Sequence, residues 1–181
     1  MKKALFILTL SLLVAAPTFA QKLITKTASV KFYSHTPVED IEANNIQVLS
    51  VLNTENGQVA FSMLMKSFEF DKALMQEHFN EKYVESSQFP KATFKGKITN
   101  LSEINFKKDG TYEAKVTGTM TIHGESQEVT TTGTITVKKG TISLSSKFNV
   151  SPGDYAITIP GVVAEKISKE IEVTVNAEYK N

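Results

Sequence analysis

From residue 112 to residue 122 the chain alternates without a break. Tyr112, Ala114, Val116, Gly118, Met120 and Ile122 are apolar or small, and Glu113, Lys115, Thr117, Thr119 and Thr121 are polar. A period of two places the two sets on opposite faces of an extended strand. The pattern recurs with Val129, Thr131, Gly133, Ile135 and Val137, then with Ile142, Leu144, Ser146 and Phe148, and again with Ile171, Val173, Val175, Ala177 and Tyr179. Each run reads as a strand with one face buried and one face in water. Asp109-Gly110, His123-Gly124-Glu125 and Lys139-Gly140 separate the runs and carry hairpin chemistry. Upstream, strands are expected near 23–35, 46–53, 58–69 and 91–101, with Asn56-Gly57 as a turn and a short strand near 103–107. The class is all-β. The strands suffice to close an eight-stranded antiparallel barrel around one ligand.

Three stretches interrupt the alternation. In "DKALMQEHFNEKYVES", Leu74, Met75, His78, Phe79 and Tyr83 recur at helical spacing and Asp71 stands where a cap belongs. This short helical segment between strands must bury its stripe against one barrel end. In "SSQFPKATFKGKI", Pro90 fixes its own φ and pushes Phe89 out of the helical region, so a strand begins near Lys91 and Phe89 is expected to be buried beside the barrel end. The connection from Ser151 to Ser168, with two prolines and two glycines, has the length to fold over an opening.

The inward-facing set is large and soft. Phe32, Phe61, Met63, Phe79, Phe94, Phe106, Tyr112, Met120, Ile135 and Phe148 are the candidates to line an apolar lumen. Gly96, Gly118 and Gly133 lie on the same faces and read as bends or as space for something other than side chains.

Composition narrows the chemistry. Lys2 and Lys3, an apolar run from Ala4 to Ala16 and the small-residue end Thr18-Phe19-Ala20 read as a secretory signal peptide over 1–20, with 21–181 as one domain. That places the protein in the periplasm or outside the cell. With no cysteine there is no disulfide, thiol nucleophile or lipoprotein anchor. Every basic residue is Lys, and loss of Lys2 and Lys3 takes the net charge from +1 to −1, which argues against a nucleic-acid partner. His35, His78 and His123 sit in separate elements, and no hydrolase, zinc or phosphate-loop motif occurs. No catalytic residue, metal site or cofactor is expected. The polar outer faces are unlike a membrane-spanning barrel.

The segment "FPKATFKGKI", together with "VTGTMTIHGESQEVTTTGTI", resembles the YceI-like family of exported, lipocalin-like proteins. The likeness runs through the mature chain in order. It implies an eight-stranded antiparallel barrel whose lumen holds a polyisoprenoid tail, of prenyl or quinone type. Two departures bear on the ligand's polar end. Ala28-Ser29 stands where many members carry His-Ser, and "FNVSPGDYAITIP" lacks the Arg that many members carry. The sequence leaves two readings open: a carrier of a long apolar molecule, or an envelope stress or protein-interaction module with a packed barrel. It also leaves the oligomeric state open, a dimer included.

Overall fold

The computed structural model describes residues 22–180. The segment read as a signal peptide lies outside the described residues. Nine strands follow one another: β1 (Lys22–His35), β2 (Asp40–Asn53), β3 (Gln58–Leu64), β4 (Glu69–Phe70), β5 (Lys91–Ile98), β6 (Gly110–Ile122), β7 (Glu125–Lys138), β8 (Thr141–Val150) and β9 (Ile171–Tyr179). All pairings are antiparallel, in the order β1-β9-β8-β7-β6-β5-β3-β2, and β1 pairs with β2 to close the ring. The two-residue β4 adds to β2 beyond the end of β3, at Ala43 and Asn44. Eight strands therefore make a closed barrel.

The inward set follows the alternation. In β6, Ala114, Val116 and Met120 are buried while Glu113, Lys115 and Thr119 are exposed. In β7 and β8, Ile135, Val137, Ile142 and Leu144 are buried against exposed Thr134, Ser145 and Lys147. The β6–β7 and β7–β8 hairpins turn through His123-Gly124 and Lys139-Gly140, each pair with positive φ at both residues. Those dihedrals match the twist of the flanking strands, which is why the turn can be two residues long.

Connectivity sorts the loops into two ends. One end carries the β1–β2 turn (36–39), the connection from β3 to β5 (65–90), the β6–β7 turn and the connection from β8 to β9 (151–170). The other carries the β2–β3 turn (54–57), the β5–β6 connection (99–109) and the β7–β8 turn. This second end is filled. Leu52, Ile98, Ile135, Val137, Ile142 and Tyr179 are all at most 3% exposed, and Leu101 and Phe106 pack against them.

Several boundaries differ from the alternation. β2 begins at Asp40 and not near 46, a start that the alternation misses because the first half of the strand is largely polar. Asn45 points inward, fully buried, giving Nδ2 to Leu64 O at 3.0 Å and taking Gln47 N at 2.9 Å. Ile46 and Gln47 then both face outward, at a register shift between β1 and β2. β3 stops at Leu64, where a 3-10 turn, Met65–Ser67, begins. Asp71 caps nothing: the residue at the start of helix α1 (Ala73–His78) is Lys72, with no side-chain cap, and the helix continues as a π-helical turn, Phe79–Tyr83. No strand forms at 103–107; Leu101–Glu103 is a 3-10 turn pinned by Asn100, which gives Nδ2 to Glu113 O and takes Lys115 N. Asp109-Gly110 is not a hairpin turn. Asp109 Oδ1 instead accepts from Lys139 N at 3.0 Å, joining two loops of the filled end.

The Phe89-Pro90 corner is half correct. β5 does start at Lys91, but Phe89 is only half-buried. Its ring lies against the β6–β7 turn, 4.5 Å from the His123 ring centroid, outside the core.

Candidate functional site: an apolar cavity open at one end

Above the filled end the lumen is not occupied by side chains. An apolar cavity of about 490 Å³ runs from Val59, Ala114 and Val116 up to the loop end, where it opens among Glu39, Leu74 and Lys166. It follows β6 from Ala114 to Ile122. At roughly 3.4 Å per residue that is about 27 Å of strand, or about 20 Å along a barrel axis tilted ~40° from it. The space is long for its volume, which suits an extended chain better than a compact ring system.

Seven of the ten candidate lining residues reach this cavity: Phe32, Phe61, Met63, Phe79, Phe94, Met120 and Phe148. Three do not. Ile135 is fully buried in the filled end, and Phe106 packs on that same core from the β5–β6 connection. Tyr112 faces inward but below the cavity, its hydroxyl donating to Lys108 O at 2.9 Å. The alternation gives the face of a strand and not the height within the barrel, so floor and lumen residues look alike in sequence.

The glycines also read differently. Gly96 and Gly118 are register partners on β5 and β6. A Cβ on Gly118 would lie 2.4 Å from Gly96 Cα, so these glycines let two backbones approach closely. A Cβ on Gly96 would also meet the Phe94 ring at 2.5 Å: the ring lies along its own strand over Gly96. Only Gly133 lines the cavity.

Residues from the connections complete the wall. Phe68 and Phe70 join Phe32 and Phe79 in an aromatic cluster with centroids 5.0–5.7 Å apart, within the range of favourable edge and offset contacts. Ile157, Ile159, Val163 and Ile167 hang in from the 151–170 connection. Their signal was the spaced apolar residues after Tyr155, which loop-like sequence masked.

The polar lining groups are largely committed to the protein. Ser146 Oγ donates to Thr132 O at 2.8 Å, and Ser34 Oγ accepts from Ser168 N at 2.9 Å. The ionisable lining residues Glu39, His78 and Lys166 lie in the loops and helix of the open end, and Glu39 is paired with Lys72 Nζ at 3.0 Å. The interior can therefore bury hydrocarbon without stranding a donor. Among the described residues no group of three or more His, Cys, Asp or Glu is placed to hold a metal ion.

Two of the closing segments are clasped together. His123, at the β6–β7 turn, has Nε2 2.9 Å from Glu85 Oε2 and Nδ1 3.1 Å from Tyr155 O. Both partners are acceptors, and the ring lies between them, bridging the 65–90 and 151–170 connections.

A sequence model of the YceI-like domain matches residues 22–179, the whole barrel. The chain belongs to the YceI-like family. The fold is that family's lipocalin-like barrel, and solved structures repeat it. A polyisoprenoid binding domain from Saccharophagus degradans, implicated in plant cell wall breakdown, superposes with a TM-score of 0.75 at 12% identity, covering 88% of this chain and 97% of that one. BcnA of Burkholderia cenocepacia gives 0.70 at 14% identity, over 85% and 96%. A Campylobacter jejuni YceI protein gives 0.57 at 15%, over 100% and 94%. At these identities the likeness speaks for the fold. Comparison with curated protein sequences gives no match.

Proposed function

We propose that this YceI-like protein is an exported carrier that holds one long apolar chain, of polyisoprenoid type, in the barrel lumen. The observation that carries the reading is the open, elongated cavity of about 490 Å³, walled mostly by Phe, Met, Leu, Ile and Val. Its volume falls in the roughly 300–1,000 Å³ range of small-molecule sites. Burial of a five-carbon isoprene unit contributes up to roughly 3–4 kcal/mol at ~0.8 kcal/mol per carbon group, before the cost of association. The solved polyisoprenoid binding domain of like fold supports the ligand class. The leader-like N-terminus supports export to the periplasm or beyond.

In this reading the protein binds and shields, with no chemical step. Phe32, Phe61, Met63, Phe79, Phe94, Met120 and Phe148 supply the large side chains predicted for the inner surface. The polar end of the ligand stays at the opening, near His78 and Lys166, where water is available. The test is a titration of lipid-stripped protein with prenyl alcohols of increasing length. Affinity should rise with each unit until the cavity is full and then level off, with little dependence on salt. Absence of binding at every length would sink the carrier reading.

A further inference from the structure

The connections at the open end differ from those at the filled end in what they show to solvent. Val38 in the β1–β2 turn, Leu74 in α1 and Val162 in the 151–170 connection are 57%, 61% and 91% exposed. Each stands in a segment that also lines the cavity, through Glu39, Met75 and Val163 respectively. Lys72 Nζ to Glu39 Oε1 joins the helix to the turn, and Ser168 N to Ser34 Oγ joins the long connection to the end of β1. The long connection carries no charge from Tyr155 to Ala164, and its tip, Pro160-Gly161-Val162, is exposed. The turns at the filled end carry no exposed large apolar residue; they present Glu55, Lys107, Lys108, Asp109 and Lys139. Apolar surface therefore continues from the cavity wall outward onto the rim.

We propose that this rim is a docking surface for a zwitterionic lipid bilayer. A bilayer is the partner because the rim extends an apolar channel: docking there lets a hydrocarbon chain pass between two apolar phases without an exposed crossing through water. The choice of a zwitterionic surface comes from charge. Acidic residues outnumber lysines in the three rim connections, so anionic headgroups are repelled and attachment depends on shallow insertion of Val38, Leu74 and Val162. The cargo in this picture rests on the carrier reading above. Docking does not, because it is measured on empty protein.

The experiment is flotation of the chain from Gln21 onward, lipid-stripped, with phosphatidylcholine vesicles that contain no isoprenoid. Wild type should float with the vesicles, and added phosphatidylglycerol should weaken the association. The double variant Val38→Glu/Val162→Glu changes exposed positions that do not line the cavity, so its circular dichroism and its binding of short prenyl alcohols should match wild type. Its vesicle binding should fall about tenfold or more, since carboxylates do not enter the interface. Ile46→Glu/Leu49→Glu, on the exposed side wall of β2, should float like wild type. Failure of wild type to float, equal flotation of the rim variant, loss on the wall variant, or tighter binding to phosphatidylglycerol would each overturn the proposal. Flotation by a protein that takes up no prenyl chain would sink the carrier reading and support the docking surface.

Discussion

The hydroxyl of Tyr179 lies 2.6 Å from Ser50 Oγ inside the filled end of the barrel. Ser50 Oγ in turn donates to Ala60 O at 3.2 Å, so its one hydrogen is spent there and the tyrosine is the donor. The chain of bonds links β9 through β2 to β3, behind the β1 strand that closes the ring. Burial pushes the Tyr179 pKa up to about 12.

Alkaline stability follows from that shift. The unfolded tyrosine loses its proton near pH 10 and the folded one near pH 12, so below pH 10 the two states bind equal protons and stability is flat. Between the two values the unfolded state binds fewer, and stability falls as pH rises. The loss attributable to Tyr179 is about 2–3 kcal/mol at about 1.4 kcal/mol per unit. Denaturant unfolding at successive pH values should show it. Tyr179→Phe should remove much of the slope between pH 10 and 12 while costing about 1 kcal/mol at neutral pH for the lost hydrogen bond. An unchanged slope in that variant would mean that Tyr179 is not the titrating group.

The His123 clasp gives a local prediction. Glu85 and Ala156, one a clasp residue and the other next to Tyr155, both sit at positive φ (44° and 55°), a region that costs a non-glycine residue energy. His123→Ala releases both segments and removes the face on which Phe89 packs. We expect about 1–2 kcal/mol of local destabilisation, seen as roughly tenfold faster amide exchange at Ser86, Phe89 and Ile157. The strands β6 to β9 should exchange as before. Acceleration spread evenly over the barrel would show that the histidine supports the core and not the closure.

Phe89 itself is worth less than a core phenylalanine. It is half-buried on a turn, so Phe89→Ala should cost about 1–2 kcal/mol, below the roughly 3–5 kcal/mol of full burial. Gly124→Ala should be as harmful, because Gly124 has φ +79° and its added Cβ would meet the Phe89 ring at 2.7 Å. Urea midpoints of the two variants test the pair.

Much of the barrel was legible because one physical signal dominates it. A half-buried antiparallel strand cannot avoid period two, and β6, β7, β8 and β9 carry it cleanly, with glycine turns to mark their ends. β2 was legible only in its second half, since Asn45 is buried through hydrogen bonds and Ile46 faces water, the reverse of what their polarity suggests. The site was legible to the level of the face. Phe94 and Tyr112 have the same parity and chemistry, yet one walls the cavity and the other props the floor. Height in the barrel depends on register and strand tilt, which no single strand encodes.

The paired glycines test what sets the barrel's shape. Gly118→Ala would place a methyl 2.4 Å from Gly96 Cα and from Lys95 O, and backbone on both sides cannot yield cheaply. Overpacking of this kind costs about 1–3 kcal/mol or more. Gly140→Ala meets nothing within 4 Å and is strained only through its φ of +82°. Thermal melts should show Gly118→Ala as the larger loss. If the two were equal, the β5–β6 approach would be looser than its geometry indicates.

Ligand binding separates the two faces of β5 and β6. Met120 is 9% exposed and turned to the cavity, whereas Lys95 is exposed on the outer face of β5. Met120→Glu puts a carboxylate against the path of the chain, and a bound hydrocarbon would strip it of water with no partner to compensate. Burial of an unpaired charge is costly enough that the site must either neutralise it or exclude the ligand. Prenyl-alcohol affinity should fall by more than about tenfold, which corresponds to about 1.4 kcal/mol. Lys95→Glu reverses a charge but touches no lumen atom, so affinity should change by less than about twofold even at low salt. Titrations of both variants, with melting curves to confirm that each is folded, decide it. A folded Met120→Glu protein that binds like wild type would mean that the chain does not lie in the lumen at the level of Met120 and Phe94.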